Sequence, residues 1–173
     1  REAERELLAI RERDPAFAPA LARLGSFYID EGDDEALAEV SEAHLELMTH
    51  PVQRATLAKR LFGIYERTIP DAEKALSAAR RWAQAAPTDL DALRALAERL
   101  DPATDARERV KALEAQADEL IRLRTEGASE DDAALRDEAL QALEDAILTW
   151  VERLDDGGNA EARLLQALEL AHD

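Results

Sequence analysis

The sequence predicts an all-α fold of stacked antiparallel helical hairpins, an α-solenoid that continues into an extension of longer helices. Pro15, Pro51 and Pro87 lie 36 residues apart, and each follows an Ala- and Leu-rich segment of helical period. Ala (36) and Leu (26) dominate the 173 residues, and only seven are aromatic, a composition that favours helix over strand. A fixed spacing of this size is typical of arrays in which each hairpin buries its apolar face against its neighbours.

Three helices are predicted in the first fifty residues. Asp14-Pro15 is interpreted as an N-cap followed by a first-turn proline, which starts the second helix. Gly32 is a left-handed C-cap for that helix, and His50-Pro51 ends the third. The predicted helices are 1–13, 16–30 and 34–48.

Three more helices are predicted up to residue 101. The turn at residues 69–71 contains Pro70 and separates two of them. Thr88, with Asp91 three residues later, resembles a capping box that opens the next helix. These helices are 52–67, 71–85 and 89–100.

The remaining helices are longer. Gly127 is expected to cap the first of them, and Ser129 with Asp132 forms a second capping-box pattern. Residues 156–159, with two glycines, are expected to break the chain before the last helix. The predicted helices are 104–125, 129–154 and a final one that ends at His172.

The first part of this pattern resembles the tetratricopeptide repeat family, whose units pair two antiparallel helices and close with a proline. The matching positions are Leu21, Leu24-Gly25, Tyr28, Ala36, Val40, Ala43 and Pro51, then Ala58, Leu61-Phe62, Tyr65, Ala75, Ala79, Ala83 and Pro87, and finally Leu93, Leu96-Ala97 and Leu100. Residue 123 is Leu where a fourth proline would fall, so the resemblance covers residues 1–101. We therefore expect repeats over 1–101 and a helical extension or cap over 102–173. Because Arg1 lies in the middle of a hairpin, we also expect the chain to be a piece of a longer protein.

The resemblance carries expectations about packing. It implies that helix 16–30 packs on helix 52–67 and that Gly25 lies where two helices touch. Four aromatic residues at helical spacing are expected to be core residues rather than ligand contacts, whereas Trp150 is left as either a core residue or part of a partner surface. The four are Phe17, Phe27, Phe62 and Trp82.

The net charge of −17 is unevenly distributed. Residues 1–51 carry 5 basic and 13 acidic side chains, residues 52–100 carry 9 and 6, and residues 101–173 carry 8 and 20. The overall field repels phosphate backbones and anionic membranes, so we expect neither nucleic-acid binding nor membrane insertion. The basic middle of the chain would select an acidic segment of a partner; the alternative is that these charges only neutralise neighbouring carboxylates.

The resemblance also implies where a partner would bind. The first helix of each tetratricopeptide unit lines a concave groove, and the positions that correspond to that wall are basic here. The candidate partner-binding residues are Arg23, Lys59, Arg60 and Arg94.

Catalytic, cofactor and metal signatures are absent from the sequence. Without cysteine there is no disulfide, thiol nucleophile or zinc–thiolate site, and no glycine-rich phosphate loop occurs. Glu169 and His172 form one Glu-x-x-His pair, but di-iron bundles need two pairs and further glutamates. The acidic turns at 30–35 and 155–159 lack the alternating ligands of a calcium loop. We expect no catalytic residue, no cofactor and no metal.

These observations favour a non-enzymatic scaffold or adaptor that binds a partner peptide or helix in its groove. A structural docking segment of a larger protein or complex is the alternative, and a helical enzyme would need a convergent pocket that the sequence does not provide. Nothing resembles a signal peptide or an apolar span of about 20 residues, which suggests a cytoplasmic protein. The excess of Arg (19) over Lys (3), together with so much Ala, suggests a GC-rich bacterial genome.

Overall fold

The computed structural model of the protein describes residues 2–127 and 131–172, and within these residues it contains nine α-helices and no β-strand. The predicted all-α class is confirmed. The helices are α1 Glu2–Arg13, α2 Ala18–Glu31, α3 Asp34–Leu47, α4 Pro51–Arg67, α5 Ala72–Ala85, α6 Leu90–Arg99, α7 Ala106–Thr125, α8 Asp132–Glu152 and α9 Gly157–His172.

Both predicted glycine caps are confirmed. Gly32 has a φ of 70° and Gly127 a φ of 65°, the left-handed conformation in which a helix ends at least cost for a residue without Cβ. The residue after Gly32 then starts the next helix, because the Asp33 carboxylate accepts a hydrogen bond from the Ala36 amide at 3.0 Å. α2 and α3 are thus joined by two residues.

The prediction that Asp14-Pro15 starts the second helix is wrong. The Asp14 carboxylate accepts a hydrogen bond from the Ala16 amide, two residues on, so the segment forms a turn. Short acidic side chains offer the backbone this local alternative to a helix. α2 begins at Ala18, and the proline in its first turn is Pro19.

Two other start signals also act differently from the prediction. Asp89, not Thr88, caps α6. Its carboxylate accepts hydrogen bonds from the backbone amides of Asp91 and Ala92, and a charged acceptor outcompetes a hydroxyl. Gly157 and Gly158 lie inside α9. The preceding break is made by residues 153–156, with Asp155 at a φ of 50°. The predicted Ser129 cap lies outside the described residues.

The chain divides into two compact units, residues 1–86 and residues 87–173. The N-terminal unit contains α1 to α5 and the C-terminal unit α6 to α9. Within each unit, extensive packing joins helices that are consecutive in the chain, as expected of antiparallel hairpins. The repeat boundary at residue 101 remains a prediction, since it was drawn from the loss of the sequence repeat.

Each unit has a core of leucines separated by alanines. In the N-terminal unit the largest fully buried side chains are Leu21, Leu24, Val40, Leu45 and Leu61. In the C-terminal unit a buried cluster joins three helices and consists of Ala117, Leu120, Ala139, Ala142, Leu143 and Leu170. Alanine at these positions lets backbones approach while the leucines interlock between them.

The aromatic side chains are distributed less uniformly than the sequence predicts. Trp82 is buried, and its ring lies 6.1 Å from that of the half-buried Phe62. Phe17 is 43% exposed, so its assignment to the core is wrong. It precedes α2 as a capping residue, outside the helical face that is buried. Trp150 is half-buried and donates a hydrogen bond to Glu114 Oε1 at 2.9 Å.

Candidate partner-binding groove

The N-terminal unit contains an open cavity of about 660 Å³ that α2 and α4 both line. The sequence predicted direct packing of these two helices, but the extensive pairings of this unit are between consecutive helices only. Gly25, interpreted as a close-packing position, borders the cavity instead, and so does Ala22. We call this cavity the groove. Its lining consists of Ala18, Pro19, Leu21, Ala22, Gly25, Ser26, Ile29, Leu37, Ser41, His44, Leu47, Met48, Thr49, His50, Val52, Gln53, Thr56, Leu57 and Arg60.

Gly25 is half-buried on α2 and borders the groove without a tight helix contact. A Cβ at this position would meet one neighbour within 4 Å, Leu37 Cδ1 at 3.9 Å. This is an ordinary van der Waals distance, so the predicted close helix–helix contact at Gly25 is wrong. The position is instead a place where a side chain could be added to the groove.

The corner between α3 and α4 is held by Arg54. Its Nη1 donates hydrogen bonds to the carbonyl oxygens of Leu45 at 3.0 Å and Met48 at 2.7 Å. The last carbonyls of a helix have no partner within the helix, and a cation near them is also favoured by the helix dipole. Pro51 then occupies the first turn of α4, where its missing N–H is not needed. These contacts fix residues 48–50, which border the groove.

Apolar side chains in the groove are unusually accessible. Val52 is 67% exposed, Ile29 43% and Leu47 38%. Single exposed apolar residues are common on protein surfaces, but these three line one concavity. The groove therefore offers apolar surface that a partner could cover.

The charge of the groove differs from that of the chain. Residues 18–60 include eight Asp and Glu residues, yet none of them is among the described side chains that line the groove. The ionisable side chains that do line it are His44, His50 and Arg60, all bases. Burial lowers the pKa of His44 below its ordinary value, because the half-buried imidazole loses solvation when it is charged.

Of the four predicted binding residues, one lines the groove. Arg60 is exposed at its edge, and no described carboxylate forms an ion pair with it. Arg23 is exposed on α2 but outside the lining. The ammonium group of Lys59, also exposed, lies 4.7 Å from the centre of the Trp82 ring, a cation–π distance. A role in partner binding stays a prediction for all four residues.

Arg94 belongs to the C-terminal unit and is engaged by Glu138. Its Nε and Nη2 donate to the two carboxylate oxygens at 2.6 and 2.7 Å, the bidentate geometry of a strong ion pair. The same carboxylate accepts from Gln116 Nε2 at 3.0 Å. The Arg94 guanidinium holds the pKa of Glu138 below its usual range. A small cavity of about 160 Å³ adjoins this network, together with Arg109.

Sequence reasoning missed the contribution of α3 and of the corner that follows it. Two of the three histidines and the single methionine fall within residues 44–50, and all three line the groove. This local concentration was the available signal. Residue spacing alone does not show that these residues meet at a helix–helix corner.

The C-terminal unit has a second exposed apolar region, on its last two helices. Leucine and valine side chains there are about half exposed, and three of them recur at helical spacing on α9. They are Leu148, Val151, Leu164, Leu165 and Leu168. No helix of the described chain is long and apolar enough to cross a membrane. Among residues 2–127 and 131–172, no group of three or more His, Cys, Asp or Glu side chains is arranged to hold a metal ion.

No protein-family model matches the chain, and no curated protein matches it. Two crystal structures of MamA resemble it: one at 20% identity with a TM-score of 0.44, covering 98% of this chain and 86% of that one. The other is 20% identical with a TM-score of 0.45, covering 86% and 81%.

Proposed function

We propose that the protein is a non-enzymatic interaction module whose N-terminal unit binds a helix or peptide of a partner protein in the groove. The observation that carries this proposal is an open, largely apolar concavity lined by accessible Val52, Ile29 and Leu47. Its volume of about 660 Å³ falls in the range of ligand sites, which hold roughly 300–1,000 Å³. A row of aliphatic side chains on one face of a partner helix would fill such a site.

The site is suited to binding rather than to catalysis. The groove lining offers two imidazoles but no described carboxylate that could orient them or act as a partner in proton transfer. Its polar groups include Ser26 and Thr56, whose hydroxyls donate to carbonyls of their own helices. Degenerate tetratricopeptide units over residues 1–101 would be a natural framework for this activity, with Arg23, Lys59 and Arg60 as outer contacts.

A structural docking role is the second candidate, and a different observation favours it. Arrays of helical hairpins need polar outer faces on their terminal elements to stay soluble. α9 instead exposes Leu164, Leu165 and Leu168, each about half accessible. A neighbouring domain or subunit that covers these leucines would make the C-terminal unit a docking surface.

Selection from a random peptide library displayed on phage tests the groove proposal on the full chain. We expect enriched peptides with apolar residues at helical spacing, which bind the wild-type protein and lose most of their affinity for Gly25→Leu. That substitution adds a side chain to the groove wall where the backbone leaves room for it. Ala162→Leu is the matched control, because it adds the same side chain at an exposed position of α9 in the other unit.

The two variants separate the possible outcomes. Peptides that bind wild type and Ala162→Leu but not Gly25→Leu support the groove as the binding site. Peptides that bind all three proteins equally, or the absence of any enriched sequence, contradict the proposal. Loss of binding only in Ala162→Leu assigns the interaction to the C-terminal leucines and favours the docking role.

A further inference from the structure

Acidic side chains are segregated from the groove more completely than the composition requires. Asp and Glu make up 39 of 173 residues, and eight of them lie within residues 18–60, the segment that forms the groove. All eight lie outside the lining. The chain has a net charge of −17, but the ionisable side chains that line the groove are all bases. A partner carboxylate therefore meets little repulsion there.

His44 is the half-buried base of this concavity. α3 carries it, and the two helices packed on α3 within the groove differ in the charges that they bring. The groove-lining residues of α2 include no titratable group, α4 contributes Arg60, and the corner contributes His50. Arg54 of α4 lies outside the lining, where it is bound to backbone carbonyls at the end of α3. No described carboxylate among these lining residues competes for the imidazole.

We propose that the partner segment in the groove is acidic as well as apolar, and that its binding is coupled to protonation of His44. This inference rests on the proposed function and specifies the chemistry of the partner. A partner carboxylate beside the imidazole would form a charge-assisted hydrogen bond to its protonated form, within surroundings that become drier as the groove is covered.

The sign of the pH dependence follows from linkage. In the unbound protein burial lowers the pKa of His44 below its ordinary value, so protonation of the free imidazole is disfavoured. A partner carboxylate raises this pKa, so the complex takes up a proton and affinity increases as the pH falls. A purely apolar partner would bury the imidazole further, lower the same pKa, and bind more weakly at low pH.

Isothermal titration of a groove-dependent peptide from the display selection measures this coupling. We expect binding to tighten between about pH 8 and about pH 6, by no more than about tenfold per pH unit for one linked proton. Titrations in two buffers of different ionisation enthalpy should report the uptake of a proton. A peptide with Gln in place of its Asp or Glu residues should bind without this pH dependence.

Two histidine variants locate the proton. His44→Gln should remove the pH dependence while leaving groove-dependent binding, and His172→Gln, in α9 of the other unit, should change neither. The imidazole resonance of His44 in the wild-type protein, followed by NMR with and without peptide, gives the pKa directly even if His44→Gln folds poorly. An increase on binding supports the proposal.

Failure of this inference is distinguishable from failure of the proposed function. A groove-dependent peptide whose affinity ignores pH, or increases with pH, contradicts the acidic partner and leaves the groove as a binding site. A His44 pKa that falls or stays constant on binding has the same meaning. Absence of any peptide that discriminates Gly25→Leu from wild type overturns both.

Discussion

The glycine inside α2 and the glycine that caps this helix should respond to the same substitution with opposite sign. Gly25 lies inside α2, and a Cβ there would meet only Leu37 Cδ1, at 3.9 Å. Replacement of an interior helical glycine by alanine gains about 0.8–1.0 kcal/mol of helix propensity. The added contact contributes about 0.1–0.2 kcal/mol. We therefore expect Gly25→Ala to raise the free energy of unfolding by about 1 kcal/mol.

Gly32 provides the matched comparison. Its φ of 70° is a conformation that costs a residue with Cβ about 1–2 kcal/mol, although there is open space around it. Gly32→Ala should therefore lower the free energy of unfolding by about 1 kcal/mol. The difference between the two variants, about 2 kcal/mol, comes mainly from backbone conformation.

Urea denaturation followed by tryptophan fluorescence measures both effects in the unit that contains them. In a Trp150→Phe background the signal comes from Trp82, which is buried in the N-terminal unit. If Gly25→Ala lowers the urea midpoint, then α2 has a close neighbour at this position. The tetratricopeptide register would then hold and the description of the groove wall would be wrong.

Three further substitutions test other parts of the structure. Arg54→Met should lower the free energy of unfolding by about 1.5–3 kcal/mol, since it removes two charge-assisted hydrogen bonds at the end of α3. The rate of amide hydrogen exchange at residues 48–52 should rise, and an unchanged rate would contradict this role. Glu138→Gln should lower the free energy of unfolding by about 1 kcal/mol at neutral pH, a modest value because the side chains of Arg94 and Glu138 are both about one-third exposed. The difference from wild type should vanish in acid, because Glu138 becomes protonated as the pH falls through its lowered pKa and then releases Arg94. Leu143→Ala should lower the free energy of unfolding by about 2–5 kcal/mol in thermal unfolding, whereas Leu165→Ala, at a 57% exposed position, should lower it by less than about 0.5 kcal/mol. Similar losses of stability in the two variants would mean that α9 is covered.

Local signals predicted the helices well because each of them acts within a few residues. Gly32 and Gly127 end helices as predicted, because the left-handed φ that ends a helix depends only on the residue at that position. Start signals were less certain because several acceptors compete over two or three positions. Asp89 replaced Thr88 as the cap of α6, and Asp14 formed a turn instead of a cap.

The groove could not be predicted, because it depends on the spacing between helices rather than on helical period. A small residue such as Gly25 permits close packing but does not enforce it, and here it borders the groove. The pairing of Arg94 with Glu138, 44 residues later, was likewise beyond any local pattern. Charge balance indicated a basic segment around residue 60, but it could not show that Arg60 lines the groove whereas Lys59 lies against the Trp82 ring.

The groove is built from one uninterrupted stretch, residues 18–60, and this has a consequence for how the protein folds. The extensive contacts of this stretch join helices that are consecutive in the chain. The loops that must close are therefore short, and the loss of chain entropy before contacts form is small. Folding dominated by such local contacts takes microseconds to milliseconds, while synthesis adds about 5–20 residues per second. The groove can therefore assemble on the ribosome before the C-terminal helices have been made.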